Sequence, residues 1–251
     1  MTEGSHIVKR AIIMAAGQGK RMLPLTRETP KPLIKINGVR IIDTAIEGLH
    51  NNGINEIYVV VGHLKDKFYE WAKGWNNVTI IENPYYDTCN NISSLYVIRG
   101  QLEDCMILDG DQIIYNQDVL SPYFTKSGYN AVWTDDKTNE WLMEVKNGIV
   151  KSCSRTGGDH GWQLYSISRW TAGDGKKLKA FLEYEFERGN RQIYWDDVAM
   201  FCHFNDFSLG IRPMQKSDII EVDSLRELAT IDHSYKKYIK KMEDHINEQE
   251  S

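Results

Sequence analysis

A small glycine-rich loop directly follows an apolar run and consists of Ala15, Ala16, Gly17, Gln18 and Gly19. Glycines let a backbone approach phosphate oxygens and point successive N–H groups at them. Two cations follow this loop, Arg21 and the lysine of Pro30-Lys31-Pro32-Leu33. Their side chains can neutralise phosphate charge that the backbone dipoles leave uncompensated. The combination predicts a binding site for a nucleoside triphosphate.

Two other phosphate-binding loops fail at named positions. A Walker loop requires Ser or Thr after Gly-Lys, but Gly19 and Lys20 are followed by Arg21. The dinucleotide-binding fingerprint requires a third small residue where this sequence has Met22. Neither of these two classes of nucleotide-binding protein is therefore supported.

Two acidic segments could hold a metal ion. Asp109-Gly110-Asp111 follows the apolar run 106–108, which places these acids at the carboxyl end of a predicted strand. Carboxylate oxygens are the ligands that Mg²⁺ prefers, and Asp111 is our first predicted ligand. Asp109 is equally compatible with direct ligation and with holding the turn. Asp223 follows a second apolar run and is the second candidate, although Asp223 and Ser224 also suit helix capping.

Aromatic residues beside acids provide a different type of site. Glu140 precedes Trp141, and Tyr194-Trp195-Asp196-Asp197 forms a second such segment. A trimethylammonium group has no N–H to donate, so proteins bind it with aromatic faces and nearby negative charge. Taken singly, each aromatic residue is more typical of core packing. Asp196 could add charge to such a cage, whereas Asp197 could cap the helix that begins there.

The elements that position these residues follow from hydrophobic patterning. Continuous apolar runs at 11–15, 56–61 and 105–108 predict strands covered on both faces of a parallel sheet. Helical spacing predicts a helix from residue 41 to Asn52-Gly53, a second helix-strand unit in 63–82 and a helix over 90–101. The site should therefore lie at the carboxyl ends of the strands.

The second half of the chain has shorter predicted strands. They cover 129–134, 142–145, 149–154 and 161–168, with a hairpin turn at Asn147-Gly148. Helices are predicted over 176–188 and from 225 to about 248. We predict one domain over 9–248, divided into a nucleotide-binding half (9–125), an acceptor-binding half (126–224) and a C-terminal helix (225–248). The first eight residues are left outside this prediction.

Composition restricts the class of protein. The 251 residues suffice for a full α/β core, and the net charge of −5 argues against a nucleic-acid binder that relies on a basic surface. Four cysteines show no zinc-type spacing. No apolar run approaches the roughly 20 residues needed to cross a bilayer. We expect a cytoplasmic protein without membrane insertion or nucleic-acid partner, and its oligomeric state is not predicted.

The loop and Pro-Lys-Pro-Leu resemble the signature of the nucleotidyltransferases that join a nucleoside monophosphate to a sugar phosphate or an alcohol phosphate. Later motifs resemble the bacterial CTP:phosphocholine cytidylyltransferase branch, which differs in having alanine where this chain has Gly110. They are Asn90-Asn91, Asp109-Gly110-Asp111, Thr138-Asn139-Glu140-Trp141, Tyr194-Trp195-Asp196-Asp197 and Glu221-Val222-Asp223-Ser224. The resemblance implies a Rossmann-like, doubly wound, mostly parallel sheet with a smaller substrate-facing β lobe, of the nucleotide-diphospho-sugar transferase type.

The resemblance also implies roles for individual residues. Arg21 and Lys31 would act on the phosphates, and Asp111 and Asp223 would bind Mg²⁺. The nucleotide set comprises Ala15, Ala16, Gly17, Gln18, Gly19, Lys31, Asn83 and Asn90. The acceptor set comprises Asn91, Glu140, Trp141, Tyr194, Asp196 and Glu221.

The expected reaction transfers CMP from CTP to phosphocholine, giving CDP-choline and pyrophosphate by in-line attack without a protein nucleophile. Alternative acceptors are a phosphonate, phosphoethanolamine or a sugar 1-phosphate. A nucleotide-binding protein without catalytic activity is a further alternative, although such a protein would not need both metal-binding carboxylates.

Overall fold

The computed structural model describes residues 6–239. Its strands, in chain order, are β1 His6–Ile7, β2 Arg10–Ala15, β3 Lys35–Ile36, β4 Val39–Arg40, β5 Glu56–Val61, β6 Val78–Glu82, β7 Cys105–Asp109, β8 Gln112–Ile114, β9 Tyr123–Phe124, β10 Gly128–Thr134, β11 Leu142–Lys146, β12 Ile149–Ser154, β13 Gly161–Trp170, β14 Gly210–Pro213 and β15 Ile219–Glu221. The α-helices are α1 Ile41–Asn51, α2 Lys65–Ala72, α3 Ile92–Val97, α4 Ala172–Glu187, α5 Trp195–Asp197 and α6 Leu225–Ile231.

A nine-stranded sheet connects the two halves of the chain, in the order β10-β14-β12-β11-β13-β7-β2-β5-β6. The strands β7, β2, β5 and β6 are parallel to one another. Strand β13 joins them antiparallel to β7 and leads into the mixed half of the sheet. The predicted doubly wound, mostly parallel core with a second β-containing region is confirmed.

The central strands are apolar along their whole length because both faces of the sheet are covered. Ile13 points into the cluster that also contains helix α1, whereas its neighbour Ile12 points into the cluster on the opposite face with helix α4. Both side chains are fully buried, and burial of one such side chain contributes about 1.5–3 kcal/mol. This packing fixes the register in which Met14 lies opposite Asp109.

Local patterns account for several connections. Helix α1 buries Ile42, Ala45, Ile46 and Leu49, the stripe that the helical spacing predicts. Asn147 and Gly148 have φ of 53° and 71°, as a tight hairpin turn between β11 and β12 requires. The predicted helix over 90–101 is shorter: α3 ends at Val97, and a 3₁₀ turn follows at Arg99–Gln101.

Two terminal regions differ from the prediction. The predicted helix over 225–248 is interrupted, because α6 ends at Ile231 and Asp232 adopts φ −131° and ψ 104°. The Asp232 carboxylate there accepts a hydrogen bond from Asn37 N at 2.9 Å. Residues 236–239 are again helical, and 240–248 lie outside the described residues. At the other end, β1 pairs with β9 although residues 6–7 were excluded from the prediction. Within residues 6–239, no helix combines the length and apolar character that a membrane span requires.

Candidate active site

The glycine loop leaves the end of β2 and forms one wall of a cleft of about 320 Å³. Gly19 has φ of 62°, and a Cβ added there would lie 2.8 Å from Thr26 Cγ2. The Thr26 hydroxyl also donates a hydrogen bond to Gly19 O at 2.9 Å. Backbone conformation and close packing therefore both require glycine at this position.

The cleft brings together most of the residues that the sequence assigned to nucleotide and metal. Its lining is Met14, Ala15, Ala16, Gly17, Gly19, Lys20, Arg21, Met22, Lys31, Pro32, Asn91, Ser94, Asp109, Asp111 and Asp223. Because β2 and β7 are parallel neighbours, the glycine loop and the acids leave the same edge of the sheet. The position agrees with the strand-end crevice expected for this type of fold.

Lys31 lies at the centre of the cleft. Its ammonium donates hydrogen bonds to Asp111 Oδ2 at 2.6 Å and to Asp223 Oδ1 at 2.9 Å. Arg21 Nη2 donates to the same Asp223 oxygen at 2.8 Å. Burial alone would lower the pKa of Lys31, but the neighbouring carboxylates outweigh burial and raise it. Lys31 is therefore held as a cation beside the predicted metal ligands.

Three carboxylates lie close enough together to hold a divalent cation. Ligand oxygens of Asp111, Glu221 and Asp223 lie within 4.8 Å of one another. Asp111 Oδ1 is buried and has no hydrogen-bond partner, so one ligand atom is available for a cation. Asp111 and Asp223 thus fit the predicted metal-binding role, and Glu221, assigned from sequence to the acceptor, adjoins both.

The alternative that Asp223 caps helix α6 is wrong. Ser224 is the N-cap residue, and its hydroxyl accepts a hydrogen bond from Glu227 N at 3.1 Å. In turn, the Glu227 carboxylate accepts a hydrogen bond from Ser224 N at 2.9 Å. This capping box satisfies the helix terminus, and the Asp223 carboxylate is directed to the two cations of the cleft.

Asp109 lies between the cleft and a second cavity. Burial raises its pKa to about 7, and the Asp111 carboxylate adds to the shift, whereas a hydrogen bond with Ser166 opposes it. Asp109 does not belong to the three-carboxylate cluster. Of the two aspartates, Asp111 therefore lies at the candidate metal position, and Asp109 makes a hydrogen bond with Ser166 of β13.

The second cavity, which we call the acceptor cavity, also has a volume of about 320 Å³ and shares four lining residues with the cleft. It is lined by Arg21, Asn91, Asp109, Glu140, Trp141, Leu164, Ser166, Tyr194, Asp196, Glu221 and Asp223. All six residues assigned from sequence to the acceptor therefore meet here. The Trp141 and Tyr194 rings are nearly perpendicular, at 88°, with centroids 5.9 Å apart.

The acidic residues of the acceptor cavity have raised pKa values, although the sequence suggested that Asp196 adds negative charge there. Burial raises the pKa of Asp196 well above its usual value, and the neighbouring Asp109 adds to the shift. Desolvation, followed by the Asp111 and Asp223 carboxylates, raises the pKa of Glu221 to about 9; its accessible surface opens onto the cavity. Burial therefore disfavours the negative charge predicted at Asp196.

The asparagines occupy different places. Asn90 and Gln18 line a third depression beside the glycine loop, together with Lys20 and Tyr86. Asn91 lies between the cleft and the acceptor cavity, where its side-chain oxygen accepts a hydrogen bond from Trp195 N at 2.8 Å. Neither side chain caps helix α3: its N-cap residue Asn91 makes no side-chain capping bond, and the Asn90 oxygen accepts from Asn91 N at 2.7 Å.

The assignment of Asn83 to the nucleotide is corrected. Asn83 is 2% exposed and does not line the cleft. Its amide donates hydrogen bonds to the Ser93 and Ser94 hydroxyls, both at 3.0 Å, and its oxygen accepts from Tyr85 N at 2.9 Å. Asn83 therefore attaches the strand end to helix α3.

The sequence analysis missed some residues that line the acceptor cavity or pack behind it. Leu164 and Ser166 are two residues apart in β13 and share a face of the sheet, so strand periodicity would have identified them once the strand was assigned. Arg155 and Phe201 pack behind Trp141. No local spacing connects these two residues to Trp141, because they come from separate elements.

A phosphate-binding loop and an acidic cluster that meet at the carboxyl ends of parallel strands define a nucleotidyltransferase with the nucleotide-diphospho-sugar transferase fold. A profile of the MobA-like NTP transferase domain matches residues 11–188, and the chain belongs to this family.

Individual relatives agree with this assignment. The chain is 36% identical over 237 residues to 2-aminoethylphosphonate cytidylyltransferase of Lancefieldella rimae, covering 93% of this chain and 96% of the relative. It is 30% identical to choline-phosphate cytidylyltransferase of Streptococcus pneumoniae, covering 90% and 98% of the two chains. The solved structure of CTP:phosphocholine cytidylyltransferase from Streptococcus pneumoniae superposes with a TM-score of 0.84 at 28% identity, covering 91% of this chain and 100% of that one.

Proposed function

We propose that this nucleotidyltransferase transfers CMP from CTP to phosphocholine in the presence of Mg²⁺, giving CDP-choline and pyrophosphate. The observation that carries the proposal is the acceptor cavity, where aromatic rings and carboxylates adjoin the phosphate cleft. The names of the relatives support cytidine as the nucleoside. These names give different acceptors, so the choice of acceptor depends on the residues of the acceptor cavity.

In the proposed reaction, an oxygen of the acceptor phosphate attacks the α-phosphorus of CTP in line with the leaving group. A new P–O bond forms, and the bond between the α-phosphorus and the bridging oxygen breaks, so that pyrophosphate leaves with the electron pair. The attacking oxygen is already anionic, and no general base is required. Arg21 and Lys31 lie in the cleft to neutralise phosphate charge, and the Gly17–Gly19 loop supplies N–H groups.

Asp111 and Asp223 would hold Mg²⁺, with Glu221 beside them. When bound, the ion supplies charge stabilisation for the phosphates of the nucleotide. The same carboxylates orient Lys31, which is buried with 9% of its side chain exposed. The ammonium is thereby placed within the nucleotide cleft and cannot swing freely into solvent.

The acceptor cavity suits a quaternary ammonium group. Trp141 and Tyr194 form a corner of two perpendicular rings, and Tyr194 is 50% exposed, which leaves its ring accessible from the cavity. Cation–π contacts of this type contribute about 0.5–2 kcal/mol each. Glu140, Asp196 and Glu221 add carboxyl groups around the corner, and an entering cation favours the ionised forms of Asp196 and Glu221.

A second candidate acceptor, 2-aminoethylphosphonate, is favoured by one observation. Asp196 Oδ1 is buried and makes no close hydrogen bond, and its polar neighbour is the Tyr129 hydroxyl, which interacts with the Asp196 carboxyl group. A primary ammonium group could donate an N–H to this oxygen, whereas a trimethylammonium group could not. The Lancefieldella rimae relative bears the name of this acceptor.

The test is Mg²⁺-dependent pyrophosphate release from CTP with phosphocholine, 2-aminoethylphosphonate, phosphoethanolamine and glucose 1-phosphate. We expect the highest kcat/KM with phosphocholine. A higher value with 2-aminoethylphosphonate would transfer the acceptor assignment to the phosphonate and leave the reaction type intact. Release with glucose 1-phosphate alone would contradict a cation-binding cavity, and no release with any acceptor would favour a noncatalytic nucleotide-binding protein.

The variant that tests the aromatic cage is Trp141→Ala, and its matched control is Trp133→Ala. Trp133 is 47% exposed on strand β10 and does not line the acceptor cavity. We expect Trp141→Ala to raise the KM of phosphocholine about tenfold, equivalent to about 1.4 kcal/mol. Trp133→Ala should leave this KM unchanged. An equal loss with cationic and uncharged acceptors in Trp141→Ala would contradict the aromatic cage.

A further inference from the structure

We infer that Arg155 is a positioning residue of the acceptor cavity and sets the orientation of Trp141 and Tyr194 relative to each other. Arg155 follows strand β12 and does not line the cavity itself. The inference rests on the proposed function, because these two rings are the walls of the proposed cation site. Two separate series of contacts lead from the Arg155 guanidinium, one to the Tyr194 ring and one to the Trp141 ring.

The first series of contacts runs from Arg155 through Asp197 to Tyr194. Arg155 Nε donates a hydrogen bond to Asp197 Oδ1 at 2.8 Å, and Arg155 Nη2 donates to the same oxygen. The other oxygen of Asp197 accepts from Tyr194 N at 2.8 Å. Only 4% of the Asp197 side chain is exposed, so this carboxylate depends on its partners for compensation. Arg155 thereby fixes the backbone from which the Tyr194 ring projects.

The second series of contacts runs from Arg155 through Phe201 to Trp141. The Arg155 guanidinium carbon lies 3.6 Å from the centroid of the Phe201 ring and 6.0 Å from that of Trp141. Phe201 packs against Trp141 at 85° with centroids 5.1 Å apart. The planar guanidinium covers Phe201 as an ammonium group would not. Trp141 thus contacts both Phe201, which the Arg155 guanidinium covers, and Tyr194, which lines the acceptor cavity together with Trp141.

Both series of contacts depend on the single side chain of Arg155. Trp141 precedes β11, Tyr194 precedes α5, and Phe201 lies in the π-helical turn Val198–Cys202. The Arg155 side chain thus lies beside residues from all three of these elements. Arg155 also compensates Asp197, so that this carboxylate does not act as a second attraction for the acceptor cation. Loss of Arg155 should release both rings and expose a competing charge.

The kinetic test compares Arg155→Ala and Arg155→Lys with the wild type. For Arg155→Ala we expect the KM of the cationic acceptor to rise about tenfold or more, with the KM of CTP and kcat at saturating acceptor within about twofold. Arg155→Lys should recover part of the effect, because it keeps the ion pair with Asp197 but loses the planar stacking on Phe201.

The control variant is Arg99→Ala. Arg99 makes the same type of contacts elsewhere: its Nε lies 2.9 Å from Glu183 Oε1, and its guanidinium carbon lies 4.0 Å from the Tyr96 ring centroid. We expect this variant to keep the wild-type KM of the acceptor. An unchanged acceptor KM in Arg155→Ala, or an equal rise in Arg99→Ala, would overturn the inference.

A crystal structure of Arg155→Ala provides a readout that does not depend on the acceptor. We expect the angle of 88° and the centroid distance of 5.9 Å between Trp141 and Tyr194 to change. Retention of both values would overturn the inference. If Arg155→Ala does not fold, Arg155→Lys serves for the same comparison, with loss of stacking on Phe201 as the expected change. Failure of the wild type to use any cationic acceptor would instead overturn the proposed function, and the crystal structure would still decide the role of Arg155.

Discussion

Lys31 Nζ lies 2.6 Å from Asp111 Oδ2, although 80 positions of sequence separate the two residues. The lysine belongs to the signature that follows the glycine loop, and the aspartate belongs to the turn after β7. Their contact places an ammonium group beside the carboxylates that would bind a metal ion. Lys31 therefore interacts with the same negative charge that a divalent cation would bind.

The first prediction concerns Lys31→Met. Without the ammonium, Asp111 and Asp223 retain no buried cation between them, so Mn²⁺ should bind the nucleotide-free protein at least about tenfold more tightly. Pyrophosphate release should nevertheless fall about 10²–10³-fold, because the phosphates lose a preorganised cation. Electron paramagnetic resonance titration of Mn²⁺ and the release assay measure the two effects separately.

Lys35→Met is the control for this variant, since the Lys35 residue is exposed on strand β3. We expect wild-type Mn²⁺ binding and turnover. Weaker Mn²⁺ binding in Lys31→Met would show that the lysine organises the carboxylates for the metal and does not compete with it.

The second prediction concerns Asp111→Asn, which keeps the shape of the side chain and removes its charge. We expect Mg²⁺-dependent pyrophosphate release to fall by about 10³-fold or more, because one proposed metal ligand is weakened. Binding of CTP measured without metal should stay within a few-fold of the wild type. Asp66→Asn, on the exposed surface of α2, is the control. Wild-type turnover in Asp111→Asn would exclude a required charge at this position.

The third prediction links Asp109 to stability. The native pKa of about 7 is above the ordinary value of 3.8, so the folded protein holds this proton more tightly than the unfolded chain does. The contribution of the protonated group to stability is complete below about pH 4 and is lost as the pH rises towards 7. Asp109→Asn removes this pH dependence and should become more stable than the wild type by a few kcal/mol at pH 8, since one pKa unit corresponds to about 1.4 kcal/mol.

Urea unfolding of both proteins from pH 4 to pH 8, in the absence of divalent cations, tests this prediction. The difference in free energy of unfolding should be small at pH 4 and should increase up to pH 7. A constant difference across the range would mean that Asp109 has an ordinary pKa in the folded protein.

The strands of the parallel core could be predicted because both faces are buried and the patterns are local. Strand β5 has the predicted bounds, and Asn147-Gly148 forms the predicted turn. The terminal helix could not be predicted correctly from its charged residues, because its interruption at Asp232 depends on a contact with Asn37. Contacts between distant segments override local helix propensity in this case.

The candidate site shows the same limit. Its strand-end position follows from the topology, and the acids of two distant segments do meet. Asn83 was misassigned because only the folded structure reveals that the Ser93 and Ser94 hydroxyls use its amide. Arg155 carries no motif of its own, and its relation to Trp141 exists only after three elements have packed together.

The final prediction concerns the carboxylates of the acceptor cavity. Burial and nearby acids raise the pKa values of Asp196, Asp109 and Glu221. A bound cation favours their ionised forms and lowers these pKa values, so binding should release protons and strengthen as the pH rises from 6 to 9. Choline is a suitable probe, because it carries the quaternary ammonium group without a titrating phosphate.

Isothermal titration calorimetry in two buffers of different ionisation enthalpy measures this proton release directly. Asp196→Asn should bind choline more weakly and release fewer protons than the wild type, because one titrating carboxyl is missing. Trp141→Ala should also bind more weakly, but its proton release should match the wild type, since the ring contributes no titrating group. Equal proton release in Asp196→Asn and the wild type would assign the titration to Glu221 or Asp109. Charge and aromatic contributions to the cavity are thereby distinguished in one experiment.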